Sequence, residues 1–225
     1  MKKKAVIFDM DGLMIDSERV TFECYKKILA ETNRTMSIDF YRRCLGRHRD
    51  ICSKIIEEEY GKGCEITEIV ERVHDMLAEI FKKEGVPIKR GLVELLTFLK
   101  ENKYTTIVAT SSNRERVDTI LEQSGLAGYF DGSVCGNEVT EGKPNPEIFL
   151  KACHKAGCEP REAYVLEDSE MGIEAAYAAG IDCIAVPDMK YPEEEYAKKT
   201  GWIAGSLFEV MEIIKNEPAK RTVQE

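Results

Sequence analysis

From Gly91 onward the chain alternates helical patterns with short apolar runs, and this alternation limits the fold more than any other feature. Leu92, Leu95, Leu96 and Leu99 recur at helical spacing and lead into a strand from Thr105 to Ala109. A capping box, Ser112-x-x-Glu115, is then expected to open a helix that buries Val117, Ile120 and Leu121. A short strand follows within Phe130 to Cys135, then a helix through Ile148, Phe149, Ala152 and Cys153. Tyr164 to Leu166 reads as a strand, Ala175 to Ala179 as a helix of small residues, and Cys183 to Val186 as a strand closed by Pro187. The last helix is expected over Ser206 to Asn216. Strands separated by helices build βαβ units, so the expected class is α/β, with a parallel sheet covered on both faces. Ala5 to Phe8 supplies one more buried strand almost at the N-terminus.

The residues after that first strand break the alternation. Ser17 is placed to cap a helix carrying Val20, Cys24, Ile28 and Leu29, ended by the polar turn Asn33-Arg34-Thr35. Arg49 to Tyr60 repeats the helical period and stops at Gly61-Lys62-Gly63; Thr67 to Lys83 repeats it again. No strand pattern lies between Ser17 and Glu84, and Gly85-Val86-Pro87 marks the return. The expected organisation is a core of residues 1–16 and 88–225 interrupted by an all-helical cap, 17–87.

Composition narrows the partners. The net charge of −9 argues against a nucleic-acid backbone, although it leaves room for a local pocket for a small anion. The eight cysteines are scattered without C-x-x-C spacing, and with three distant histidines they argue against zinc. The basic start is followed by too short an apolar run for a signal peptide, and no run has membrane-spanning length. A cytoplasmic protein with reduced thiols, monomeric by default and acting away from membranes, is expected.

The chemistry gathers at strand ends. The first strand runs into Asp9 and Asp11, followed by Gly12; taken alone this is either an Asp-Gly turn or an active-site carboxylate pair. The strand through Val108 leads to Thr110 and Ser111, and the strand through Leu166 to Glu167, Asp168 and Ser169. A parallel sheet brings these carboxyl-terminal ends to one edge. Lys143, in the loop Gly142-Lys143-Pro144, is close enough in the pattern to reach it. Singly, Thr110 reads as a helix cap, Lys143 as a solvated loop residue and Glu167-Asp168-Ser169 as a helix N-terminus. Together they suit phosphoryl transfer: clustered carboxylates for a hard divalent ion such as Mg²⁺, and hydroxyl and ammonium donors for phosphoryl oxygens.

Asp9-Met10-Asp11-Gly12 with Asp16-Ser17-Glu18, then Thr110, Lys143-Pro144, and Glu167-Asp168-Ser169 with Gly172-Ile173, resembles the four motifs of the haloacid dehalogenase superfamily. Order and spacing are similar to the helical-cap branch that includes β-phosphoglucomutase, over nearly the whole chain. The resemblance implies a Rossmann-like core, Asp9 as nucleophile forming an aspartyl-phosphate, and Asp11 as the proton carrier, starting protonated with a raised pKa. It implies Mg²⁺ held by Asp9, the Asp11 backbone carbonyl and Asp168, with Glu167 beside it or one shell out. Thr110 and Lys143 would bind the phosphoryl group, Lys143 also partnering Asp9. Asp11 and the Glu167-Asp168 pair point to phosphate esters, since release of halide needs neither a proton nor Mg²⁺.

The cap is expected to choose the substrate. Leu45-Gly46-Arg47-His48-Arg49 resembles its specificity loop, so Gly46 and Arg49 are candidate substrate contacts; Arg49 would grip a distal phosphate, or else be a solvated first-turn residue. Thr21 stands where the mutase branch has histidine, and no lysine lies near Val73 where that branch has one. Both departures favour hydrolysis of a small phosphorylated metabolite over a mutase. A phospho-acceptor signalling or binding module is the reading of another class, but receivers carry neither this Asp-x-Asp nor a helical insertion.

Overall fold

The computed structural model describes residues 2–45, 49–61 and 66–216. Its strands are β1 (Ala5–Phe8), β2 (Thr105–Thr110), β3 (Gly132–Cys135), β4 (Ala163–Glu167), β5 (Asp182–Ala185) and β6 (Trp202–Ile203). They form one parallel sheet in the order β3-β2-β1-β4-β5-β6. The central strand β1 pairs with β2 on one side and β4 on the other, with Phe8 level with Val108 and Leu166. Strand order reverses about β1, which opens a crevice at the carboxyl edge where Asp9 emerges.

The β1 side chains alternate between two apolar layers. Val6 and Phe8 join Val108, Leu166 and Ile184 on one face, and Ala5 and Ile7 join Ile107, Ala109 and Val165 on the other. The first layer is covered by α5 (Leu92–Glu101), α6 (Arg114–Gln123) and α10 (Leu207–Asn216); the second by α7 (Glu147–Ala156) and α8 (Glu170–Ala178). Leu92, Leu95, Leu96 and Leu99 are fully buried, as their spacing predicts.

Between β1 and α5 lie α1 (Ser17–Ala30), α2 (Ile38–Arg42), α3 (Arg49–Tyr60) and α4 (Ile66–Glu84), with no strand among the described residues of this segment. Cys24 and Ile28 of α1 and Val73, Leu77 and Phe81 of α4 belong to one buried cluster. The chain leaves and re-enters the sheet through two adjacent strands of backbone: Asp16 N–H donates to Pro87 C=O at 2.8 Å and Lys89 N–H to Met14 C=O at 2.9 Å.

Several local expectations change. Helix α6 is capped by Asn113, which accepts from the Arg116 N–H at 2.9 Å, so the Ser112-x-x-Glu115 box does not form. Ser17 is the first residue of α1 rather than its cap, and its hydroxyl is buried. Thr110 and Glu167 are the last residues of β2 and β4, not the first beyond them. The short α2, α9 (Glu194–Ala197) and two-residue β6 give no periodicity to read; β6 exists through its pairing with β5.

Candidate active site

Asp9 follows directly from β1, its N–H donating to the Leu166 carbonyl at 3.0 Å, and it is 6% exposed. Glu167 ends the neighbouring β4 at 1% exposure, and Asp168 follows it. Ligand oxygens of Asp9, Glu167 and Asp168 all lie within 4.8 Å of one another. Two glycines make room for them. A Cβ on Gly12, which has φ of +83°, would fall 2.2 Å from Asp168 Oδ2, and one on Gly172 would fall 2.0 Å from Glu167 Oε1. Ser169 caps α8 by accepting from the Gly172 N–H at 3.1 Å, and its hydroxyl donates to Glu167 Oε1 at 2.5 Å.

Lys143 reaches the edge from its loop and is 5% exposed. Its Nζ donates to Asp9 Oδ1 at 2.5 Å and to Glu167 Oε2 at 3.1 Å, and lies 4.9 Å from the Phe149 ring centroid. Burial acts to lower its pKa, but the Asp9 and Glu167 carboxylates outweigh that and hold it above the usual lysine value. Burial followed by repulsion from Glu167 pushes Asp9 up, against the attraction of Lys143. Burial, then Glu167 and Asp9, pushes Asp168 well up. Three carboxylates facing one ammonium can all be ionised only beside a further cation, and an all-oxygen donor set of this kind suits a hard divalent one.

Asp11 departs from expectation. Its carboxylate accepts from Arg116 Nη2 at 2.7 Å and from Ser112 Oγ at 2.9 Å, and does not join the three-carboxylate cluster. Burial acts to raise its pKa, but Arg116 outweighs that, helped by Ser17 and Ser112, and the net direction is down. The Ser17 hydroxyl approaches without a hydrogen bond of normal geometry. The raised pKa that the resemblance implied for Asp11 is therefore not what this arrangement produces. Arg116 was missed by motif reading; its one local signal is a cation in the first turn of a helix, where the dipole disfavours it.

A cleft of about 1270 Å³ runs over this edge. Asp9, Asp11, Thr110, Ser111, Lys143, Glu167 and Asp168 all line it, so these predicted positions come together. Gly46 lies outside the described residues, as does the Arg49 side chain at the start of α3. Thr110 is 1% exposed, and its Oγ1 accepts from the Ser112 N–H at 3.1 Å, leaving the hydroxyl proton to donate. From the inserted helices, Glu18, Thr21 and Lys82 line the same cleft, while Val73 is fully buried. Glu18 accepts from the Tyr41 hydroxyl at 2.6 Å; burial pushes its carboxyl up to about 7, partly offset by that bond.

A family model described as haloacid dehalogenase-like hydrolase matches residues 6–186. The phosphorylated carbohydrates phosphatase of Thermotoga maritima is 33% identical over 181 residues, 80% of this chain and 83% of that one. The mitochondrial (DL)-glycerol-3-phosphatase 1 of Arabidopsis thaliana is 30% identical over 213 residues, 91% of this chain and 70% of that one. The crystal structure of β-phosphoglucomutase from Clostridium difficile superposes with a TM-score of 0.74 at 22% identity, over 95% of this chain and 97% of that one, a likeness of fold. With the motif residues gathered at one sheet edge and a family match spanning both sides of the inserted helices, the chain belongs to the haloacid dehalogenase-like hydrolases and is an enzyme of the phosphoric monoester hydrolase kind.

Proposed function

We propose that the protein is a Mg²⁺-dependent phosphatase that hydrolyses a small phosphomonoester, a sugar phosphate or similar metabolite, through a phosphorylated Asp9. The observation that carries this reading is Lys143 set between Asp9 and Glu167 beside a three-carboxylate cluster. Asp9, Glu167 and Asp168, with the Asp11 backbone carbonyl, would hold Mg²⁺, which offsets the repulsion between the carboxylates and an incoming phosphate dianion.

Asp9 attacks phosphorus as the ester P–O bond breaks, and the leaving oxygen takes a proton from Asp11. Water then attacks the phosphorylated Asp9, giving up its proton to Asp11 and releasing phosphate. Lys143 has a third N–H beyond those given to Asp9 and Glu167, and Thr110 has its hydroxyl proton; both suit phosphoryl oxygens. Ser111 lines the same cleft and would add a contact. Asp11, paired with Arg116, is arranged for the base role, and its acid role requires that pair to open and the carboxylate to take up a proton before the leaving oxygen departs.

Residues 17–87 act in this reading as the cap over a core of 1–16 and 88–225, with Gly46 and Arg49 as its substrate contacts. Thr21 in the cleft and the buried Val73 offer no histidine or lysine at the positions where the mutase branch has them, which supports hydrolysis. The same reading takes the enzyme as a cytoplasmic monomer. No helix among the described residues is long and apolar enough to cross a membrane. A screen of phosphomonoesters with and without Mg²⁺ tests the proposal. Phosphate release is expected with the metal and lost in Asp9→Asn; release that survives the substitution overturns the assignment of Asp9. On β-glucose 1-phosphate with a bisphosphate primer, glucose 6-phosphate accumulating faster than phosphate would overturn hydrolysis in favour of the mutase.

A further inference from the structure

The Arg116 guanidinium stands in the cleft with Asp11 as its ion-pair partner at 2.7 Å, the two side chains 31% and 26% exposed. In the phosphatase reading Asp11 meets the leaving oxygen, so a cleft-lining cation paired with its carboxylate is placed close to the leaving group. Three other cations of the core are committed. Lys143 is held by Asp9 and Glu167, Arg114 by Glu138 and Ser133, and Lys190 by Glu170. Thr119 and Gln123 continue the same wall along α6, with Lys82 of α4 also lining the cleft.

We propose that Arg116 is a specificity residue for substrates with a carboxylate or second phosphate on the leaving group, and that this anion takes the guanidinium from Asp11. The inference rests on the phosphatase reading and names its substrate class. An arginine that binds one carboxylate binds another in the same geometry, so the exchange replaces one charge-assisted pair with an equivalent one. Asp11 keeps its bond to Ser112 at 2.9 Å and turns a free oxygen to the leaving group. A neutral leaving group offers no such exchange, so Asp11 stays engaged. Selection of substrate thus begins on the core, at a helix packed on the sheet, in addition to the inserted helices.

The test compares 3-phosphoglycerate with glycerol 3-phosphate, and phosphoglycolate with 2-hydroxyethyl phosphate, pairs that differ in a carboxylate for a hydroxymethyl group. Wild type is expected to favour the acid in kcat/KM by about tenfold or more in at least one pair. Arg116→Gln should erase that preference, with kcat/KM falling for the acids and not for the alcohols, because the substitution also frees Asp11 from its partner, while Arg116→Lys keeps part of the preference. No preference in wild type, or an equal loss for acid and alcohol in Arg116→Gln, overturns the proposal and leaves Arg116 as a support for Asp11. Binding of the same compounds is measured calorimetrically on wild type and Arg116→Gln. If none is hydrolysed, the phosphatase reading stands or falls on the wider phosphomonoester screen, and the binding comparison decides the anion site. Tighter binding of the acids that is lost in Arg116→Gln still supports the anion site, and equal binding of acid and alcohol overturns it.

Discussion

Replacing Lys143 by Met keeps the length and apolar stem of the side chain and removes its charge. The ammonium sits between Asp9 and Glu167 at 2.5 and 3.1 Å, and the three side chains are 5%, 9% and 1% exposed. Removing one partner from a buried ion pair costs about 3–5 kcal/mol, because the charges left behind stay out of water. For a chain of this size each kcal/mol lowers Tm by about 2–4 °C, so the variant should melt roughly 6–20 °C below wild type in EDTA. Added Mg²⁺ should raise its Tm by more than it raises that of wild type, because the variant's carboxylates carry one more uncompensated charge. Phosphatase turnover should fall by about 10²–10³-fold through loss of a donor to the phosphoryl group. Thermal melts with EDTA and across a Mg²⁺ titration read the first two effects. A fall in Tm under about 2 °C, or a Mg²⁺ response no larger than that of wild type, would refute Lys143 as the compensating charge.

Gly172→Ala places a methyl 2.0 Å from Glu167 Oε1, and a side chain that buried must shift; a loss of about 1–3 kcal/mol and a weakened Mg²⁺ affinity are expected by thermal melts and calorimetry. Unchanged values for both would show that Glu167 has room to move. The Glu18 carboxyl is held up to about 7 against a usual 4.5, so the folded state binds the proton more tightly than the unfolded chain. The cost of ionising it grows as pH rises through that window and is absent below it. Glu18→Gln should therefore raise Tm relative to wild type more at about pH 8 than at about pH 5, and an equal difference at both would refute the buried-carboxyl account.

Local chemistry was enough for much of this protein. The helical period of Leu92, Leu95, Leu96 and Leu99, and the strand–helix alternation after them, follow from side chains that must leave water, a demand written residue by residue. The polar residues at strand ends were legible for a related reason: a parallel sheet sends every such end to one edge, so Asp9, Thr110, Glu167 and Asp168 converge without any knowledge of distances. Elements too short for a period, α2 and β6, were not legible, and neither was the choice of Asn113 over Ser112 as cap. The helix starts at Arg114, which puts Asn113 at the cap position, while the Ser112 hydroxyl turns to Asp11, a bond that exists only once β1 and β2 lie side by side. The same holds for the pair that most changes the picture of the site. Asp11 and Arg116 are 105 residues apart, and nothing around either predicts the other. What the sequence determined was which groups reach the edge. What tertiary structure decided was who pairs with whom there, because a carboxylate's charge state and direction depend on the nearest cation in space, and helix packing alone selects that neighbour.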